Sequence, residues 1–167
     1  QDFAVGGAGY APQGEITPAA SPAAQECLLA GLLCNEASLE KKNGAWHVSG
    51  DPTEGALIVA AMKAGLEPES SHAAHPRLDV VPFESRHQYM ATLHDGRIYL
   101  KGAVEQILTR CTGMLGPDDQ ILPLDHERIT QAATLMAEQG LRVLALARKP
   151  SEQEQNALNH DDLTEGM

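Results

Sequence analysis

Tyr89-Met90-Ala91-Thr92-Leu93-His94-Asp95-Gly96-Arg97-Ile98-Tyr99-Leu100-Lys101 decides the fold. Asp-Gly between two runs rich in β-forming residues is a strong signal for a two-residue hairpin turn. Such a turn sets the pairing. His94 faces Arg97, Thr92 faces Tyr99, and Met90 faces Lys101. Alternation then puts Ala91, Leu93, Ile98 and Leu100 on the core side. Met90 and Lys101 become a cross-strand pair on the opposite side.

Upstream of the hairpin, Leu78–Phe83 is a strand candidate with Pro82 near its end, and Ser70–Pro76 is expected to be a loop. Before it comes Gly50-Asp51-Pro52-Thr53-Glu54-Gly55-Ala56-Leu57. Asp51 stands at an N-cap, Pro52 at the first helical position, and Glu54 three residues after Asp51, the spacing of a capping box. Leu57, Ile58, Ala61, Met62 and Leu66 supply the apolar side of that helix. Lys41-Lys42-Asn43-Gly44 is a turn, followed by a short strand at Ala45–Val48. Pro22–Asn35 is compatible with a buried helix, on which Cys27 and Cys34 share a face and are expected in the core.

Downstream, Ala103–Cys111 predicts a helix with Ile107 and Leu108 inward, and Gly116-Pro117-Asp118-Asp119 a turn. Asp125–Gln139 predicts a longer helix with Ile129, Ala132, Ala133, Leu135 and Met136 on its apolar side, stopped by Gly140. Leu141–Ala147 is an apolar strand interrupted by Arg142. The expected fold is α+β, an antiparallel sheet of about six strands flanked by helices. Residues 1–167 form a single domain in this reading. Residues 1–22, rich in Gly, Ala and Pro with a short strand near Phe3–Val5, and the polar residues 151–167 serve as connecting segments outside the core.

Composition narrows the function. The 167 residues hold 12 Lys+Arg and 23 Asp+Glu, a net charge of -11, which argues against a nucleic-acid surface. No apolar run approaches the ~20 residues that cross a bilayer. Three cysteines, Cys27, Cys34 and Cys111, with no CxxC spacing, make a disulfide framework a poor fit and a reducing setting a better one. His72, His75, His87 and His94 match no tight zinc spacing, so no metal site is expected.

Three features stand apart from ordinary packing: Phe83 beside a proline, Lys101-Gly102-Ala103 at a strand end, and Arg142 inside an apolar strand. An aromatic face, the Met90 thioether and the aliphatic stem of Lys101 make a flat apolar slot with a cationic rim. Gly102 leaves the backbone open to close approach. A flat, polar-edged heterocycle with an anionic tail suits that slot, and Arg142 is a forked donor for the anionic part. Glu54 is a candidate acceptor for an exocyclic amine, unless the capping box occupies it.

Gly50 to Leu57, Pro82-Phe83, Lys101-Gly102-Ala103-Val104-Glu105 and Leu141-Arg142-Val143-Leu144-Ala145, in this order, resemble the nucleotide-binding domain of cation-transporting P-type ATPases. The look is closest to the group containing calcium pumps, the sodium/potassium pump and their bacterial relatives. The resemblance covers nearly the whole chain. It implies ATP as ligand, as Mg-ATP in the parent protein, with ADP also bound. Phe83 would stack on adenine, Lys101, Gly102 and Ala103 would line the base pocket, and Met90 would pack at the same base. Glu54 would bond the adenine edge, and Arg142 would reach towards ribose and phosphates. Many relatives carry a Lys five residues after the stacking Phe. Gln88 stands there in this chain, which leaves Arg86 as a substitute phosphate contact.

The resemblance also implies partners, the phosphorylation and actuator domains of the same parent chain, and a place as the cytoplasmic domain of an integral membrane protein. Calcium transport is the first expectation among ions. The phosphorylated-aspartate motif Asp-Lys-Thr-Gly-Thr does not occur in these residues, so this segment is expected to hold ATP without hydrolysing it. The alternative is a free-standing adenine-nucleotide sensor without catalysis.

Overall fold

A computed structural model describes residues 2–167. The described residues up to His75, with Pro117–Asp119, form one compact unit, and Pro76–Gly116 with Gln120–Met167 form another.

The first unit begins with a two-residue pair, β1 (Ala4–Val5) on β2 (Ile16–Thr17), and continues into helix α1 (Pro22–Leu33). The Ser21 hydroxyl accepts from the Ala24 N–H at 3.3 Å, and Pro22 follows, a start that needs neither missing donor nor special φ. Strands β3 (Ser38–Lys42) and β4 (Ala45–Ser49) form a hairpin closed by Asn43 and Gly44, both at positive φ (51° and 82°). Helix α2 (Pro52–Lys63) starts as the sequence requires. The Asp51 Oδ1 accepts from the Thr53 and Glu54 N–H groups at 2.7 and 3.2 Å.

Gly55 lets α2 lie against β4, because a Cβ there would stand 2.6 Å from Val48 Cγ1. Leu32 of α1 packs with Ile58 and Ala61 of α2 to make this unit's core cluster. Helix α3 (Pro68–Ala74) occupies most of the segment expected to be a loop. Its Pro68 stands in the first turn, a helix-start signal just upstream of the segment read as a loop. Cys34 is buried at the end of α1 as expected, but Cys27 is exposed, so the two do not share a buried face.

In the second unit the hairpin has the predicted register. β6 (Tyr89–His94) and β7 (Arg97–Gly102) pair His94 with Arg97, Thr92 with Tyr99, and Met90 with Lys101. β5 (Arg77–Glu84) flanks β6, and β10 (Ala145–Pro150) flanks β7, giving the order β10-β7-β6-β5, all antiparallel. Ala91, Leu93, Ile98 and Leu100 face the core, joined by Val81, Ile107, Leu158, Leu163 and Met167.

The expected sheet of about six strands is corrected, among the described residues, to this four-stranded sheet and three separate two-stranded ones. The third of these pairs β8 (Gly113–Leu115) with β9 (Ile121–Pro123) around the predicted turn. Helix α4 (Val104–Leu108) is shorter than expected. Helix α5 (His126–Glu138) has the expected limits, with the Asp125 carboxylate accepting from the Arg128 N–H at 3.0 Å and Gly140 at φ 78°. Its apolar side is less covered than expected. Ile129 and Ala133 are half-buried, whereas Ala132, Leu135 and Met136 are exposed.

The tail after Ser151 is polar, yet it belongs to the core. Leu158, Leu163 and Met167 pack beneath the sheet, and His160–Leu163 forms a 3-10 turn. Three apolar side chains spaced by polar ones bury a surface that no local periodicity announces. The tail is also tied by hydrogen bonds. The Leu158 N–H donates to the Asp79 carboxylate of β5 at 2.8 Å. Lys149 of β10 donates to the carbonyls of Asp162 and Glu165. The Met167 N–H donates to the Arg110 carbonyl at 3.0 Å.

Candidate functional site

The sheet register brings the predicted slot residues into one row. Val81 pairs with Ala91 and Glu84 pairs with Tyr89, so Pro82 and Phe83 together oppose the single residue Met90. This is a β-bulge, the setting in which a strand tolerates proline. Met90 pairs onward with Lys101, and Lys101 with Leu146. The row therefore runs Phe83, Met90, Lys101 across three neighbouring strands.

Burial along the row is uneven. Phe83 is 55% exposed, Met90 1% and Lys101 5%. Without the bulge, Phe83 would share a face with Val81, which is buried in the core. The extra residue breaks that alternation and leaves a large apolar ring in water. Of the three, Phe83 presents its side chain to solvent, whereas the Met90 thioether and the Lys101 side chain are buried.

Gly102 ends β7 beside Tyr89 and Ala145. A Cβ on it would stand 2.7 Å from Tyr89 Cβ and 2.8 Å from Tyr89 Cα, and would also strike the Gln88 carbonyl. The neighbouring strand thus already uses the space that the missing side chain leaves. Packing against Tyr89 therefore calls for glycine at this position. Ala103 is half-buried at the N-cap of α4, and its N–H donates to the Gln88 carbonyl at 3.0 Å.

The turn between β5 and β6 carries the two remaining sequence candidates. The Glu84 carbonyl accepts from the N–H groups of His87 and Gln88 at 2.9 and 2.8 Å. Gln88 is exposed at φ 58°. Arg86 is exposed, and its Nε donates to the Glu84 carboxylate at 2.6 Å. That hydrogen bond, with the guanidinium charge, holds the Glu84 carboxyl below its ordinary pKa. An incoming phosphate would have to compete with Glu84 for Arg86.

Arg142 is exposed and lies before β10 rather than within a strand, because the strand begins only at Ala145. Since Ala145 pairs with Gly102, Arg142 is on the segment that enters the sheet at the end where Gly102 and Tyr89 stand. Glu54 belongs to the first unit. Its carbonyl accepts from Asn35 Nδ2 at 3.0 Å, and its Oε2 accepts from the Glu36 N–H at 3.2 Å. Part of the carboxylate is therefore committed to the chain just after α1.

One cluster escaped the sequence reading. Tyr89, His87, His160 and Arg110 stack at the same end of the sheet. Its only signal was a histidine in the polar tail.

The comparisons with known proteins bear on this geometry. The family model described as P-type ATPase, cytoplasmic domain N, matches residues 23–167. The chain belongs to this family. As an N domain it is similar to the cation-transporting ATPase pma1 of a Synechocystis species, 44% identical over 99% of this chain and 20% of that protein. It is also similar to a probable cation-transporting ATPase F of Mycobacterium bovis, 40% identical over 83% of this chain and 17% of that protein. A calcium-transporting ATPase of Bacillus subtilis is 32% identical over 87% of the chain and 18% of its own length. The chain thus spans a fifth or less of these relatives. Among the described residues no helix is long and apolar enough to cross a membrane.

Proposed function

We propose that this N domain binds ATP by its adenine ring and presents the γ-phosphate to a phosphorylatable aspartate in another domain of a longer, cation-transporting membrane protein. The row of exposed Phe83, buried Met90 and buried Lys101 carries this reading. The purine lies on the Phe83 ring, and the Met90 thioether and the Lys101 stem form the rest of the slot. Gly102 and Ala103 shape its end. Arg142 meets ribose and phosphates, with Arg86 and Gln88 as the further polar contacts, and magnesium arrives with the ATP.

The domain supplies grip rather than chemistry. Phosphoryl transfer needs a nucleophile, a magnesium site and in-line placement, and the neighbouring phosphorylation domain supplies these, with the actuator domain completing the cycle. The grip is weak. One base stack gives ~1–3 kcal/mol, a few hydrogen bonds add ~1 kcal/mol each, and association entropy removes several. The remainder suits a dissociation constant on the order of 0.1 to a few mM.

The test is a chemical-shift titration of the labelled chain with ATP, ADP and AMP, alongside a phosphate-release assay. Signals of Phe83, Met90, Lys101, Gly102 and Arg142 move with all three nucleotides, and no phosphate appears. Spectra unmoved by saturating ATP would end the proposal.

A further inference from the structure

The stack at the site end of the sheet has no part in the slot itself. Tyr89 is 2% exposed, and its hydroxyl shares a 2.8 Å hydrogen bond with Nδ1 of His160. The His160 ring lies 4.2 Å from the His87 ring, centroid to centroid, with the planes 34° apart. The Arg110 guanidinium lies over the Tyr89 ring at 4.6 Å. His87 sits in the turn that follows Phe83, so the stack reaches from the slot's own loop to the C-terminal tail.

The turn is short of other supports. Among the described residues, its backbone bonds outside the strand ladder run from His87 and Gln88 to Glu84 and from Ala103 to Gln88, its one ion pair, Arg86 with Glu84, stays within the turn, and three of its four residues, Ser85, Arg86 and Gln88, are exposed. A turn free to wander would lose entropy on closing over a base, and a turn held in place has already lost it. The tail does not depend on His160 in return. Asp79, Lys149 and Arg110 tie it independently.

We infer that His160 is a positioning residue for the nucleotide: held by Tyr89 and stacked on His87, it fixes the turn after Phe83 and couples the slot to the tail. The inference rests on the adenine-slot reading above. Coupling of this kind is reciprocal, so a nucleotide in the slot must also change the surroundings of His160.

The experiment is an AMP titration of the 167-residue chain and its variants His160→Ala, Tyr89→Phe, the double variant, and Phe83→Ala, each with a thermal melt. His160→Ala weakens AMP binding about three- to tenfold, the worth of one hydrogen bond and its stacking. Tyr89→Phe keeps the ring beneath Arg110 and has a similar effect. The double variant is no weaker than the worse single one, because both remove the same bond. In the parent, the His160 imidazole resonances shift on AMP saturation. If His160→Ala or, should that chain not fold, Tyr89→Phe binds AMP like the parent, the inference is overturned. Unmoved His160 resonances overturn it too. Failure of the slot reading shows separately, as parent-like AMP binding by Phe83→Ala, where His160 is untouched, and the inference then falls with it.

Discussion

Phe83→Ala separates binding from folding unusually well. The ring is 55% exposed and sits in a bulge on an edge strand of the four-stranded sheet, so its loss leaves no large cavity. The fold should lose less than about 1 kcal/mol, well below the ~3–5 kcal/mol of a fully buried Phe. The nucleotide should lose the whole base stack, ~1–3 kcal/mol, or roughly five- to 150-fold in affinity. AMP is the right ligand because it reports the base with little phosphate contribution. At about 10 mM AMP and a dissociation constant near 1 mM, linkage stabilises the parent by about 1.4 kcal/mol. For a domain of this size that raises the melting temperature by about 3–6 °C. With affinity reduced 20-fold, the same AMP gives about 0.2 kcal/mol and a shift of about 1 °C or less. Phe83→Trp keeps a flat ring and should keep the shift. If Phe83→Ala melts like the parent both without AMP and with it, the ring does not hold the base.

Two further substitutions test the scaffold. Gly102→Ala must push β6 and β7 apart at Tyr89, so it should cost about 1–3 kcal/mol and lower the melting temperature by several degrees, whether or not nucleotide is present; an unchanged melt would show that the strand end yields freely. Asp79 has its pKa lowered by the Leu158 N–H and then by the Val80 N–H. A depressed carboxyl stabilises the fold above its unfolded value of about 4, and that stability is lost as pH falls through the lower folded value. Asp79→Ala should therefore cost about 1 kcal/mol at pH 7, a modest figure for a solvent-screened carboxylate, and in urea melts the gap should narrow as the pH falls below that unfolded value. A gap that stays constant with pH would remove the carboxylate from the account.

The hairpin was legible in the sequence because Asp95-Gly96 sets a register that one buried face then enforces, and each of its pairs follows. The N-cap of α2 was legible for the same local reason: Asp51, Pro52 and the helix start are neighbours in the chain. Asn43-Gly44 closes a hairpin of the same kind, but only β4 was expected, because Leu39 is the sole apolar residue in β3. Edge and ribbon strands that bury little carry little pattern. The strand at Arg142 was placed too early because an apolar run shows where burial is possible, not where pairing starts. The tail failed for the opposite reason: its three core residues meet the sheet only through tertiary contact, and locally they look like solvated chain.

Phe83 shows how a local rule and its exception can point to the same residue. A Phe two positions after a buried Val in a regular strand belongs to the core. Pro82 between them removes an N–H from the ladder, and a strand accommodates that at an edge or a bulge. β5 offers both, being the edge of its sheet and irregular at that point. The bulge reverses the face of every residue beyond it, which brings Phe83 out of the interior and sets it, with Pro82, opposite Met90. The same proline therefore accounts for the break in pairing and for the exposed ring. A substitution that restored regular pairing, Pro82→Val, would pull Phe83 towards the Val81 side. It should raise stability while abolishing AMP binding, a combination that loss of a contact residue alone would not produce.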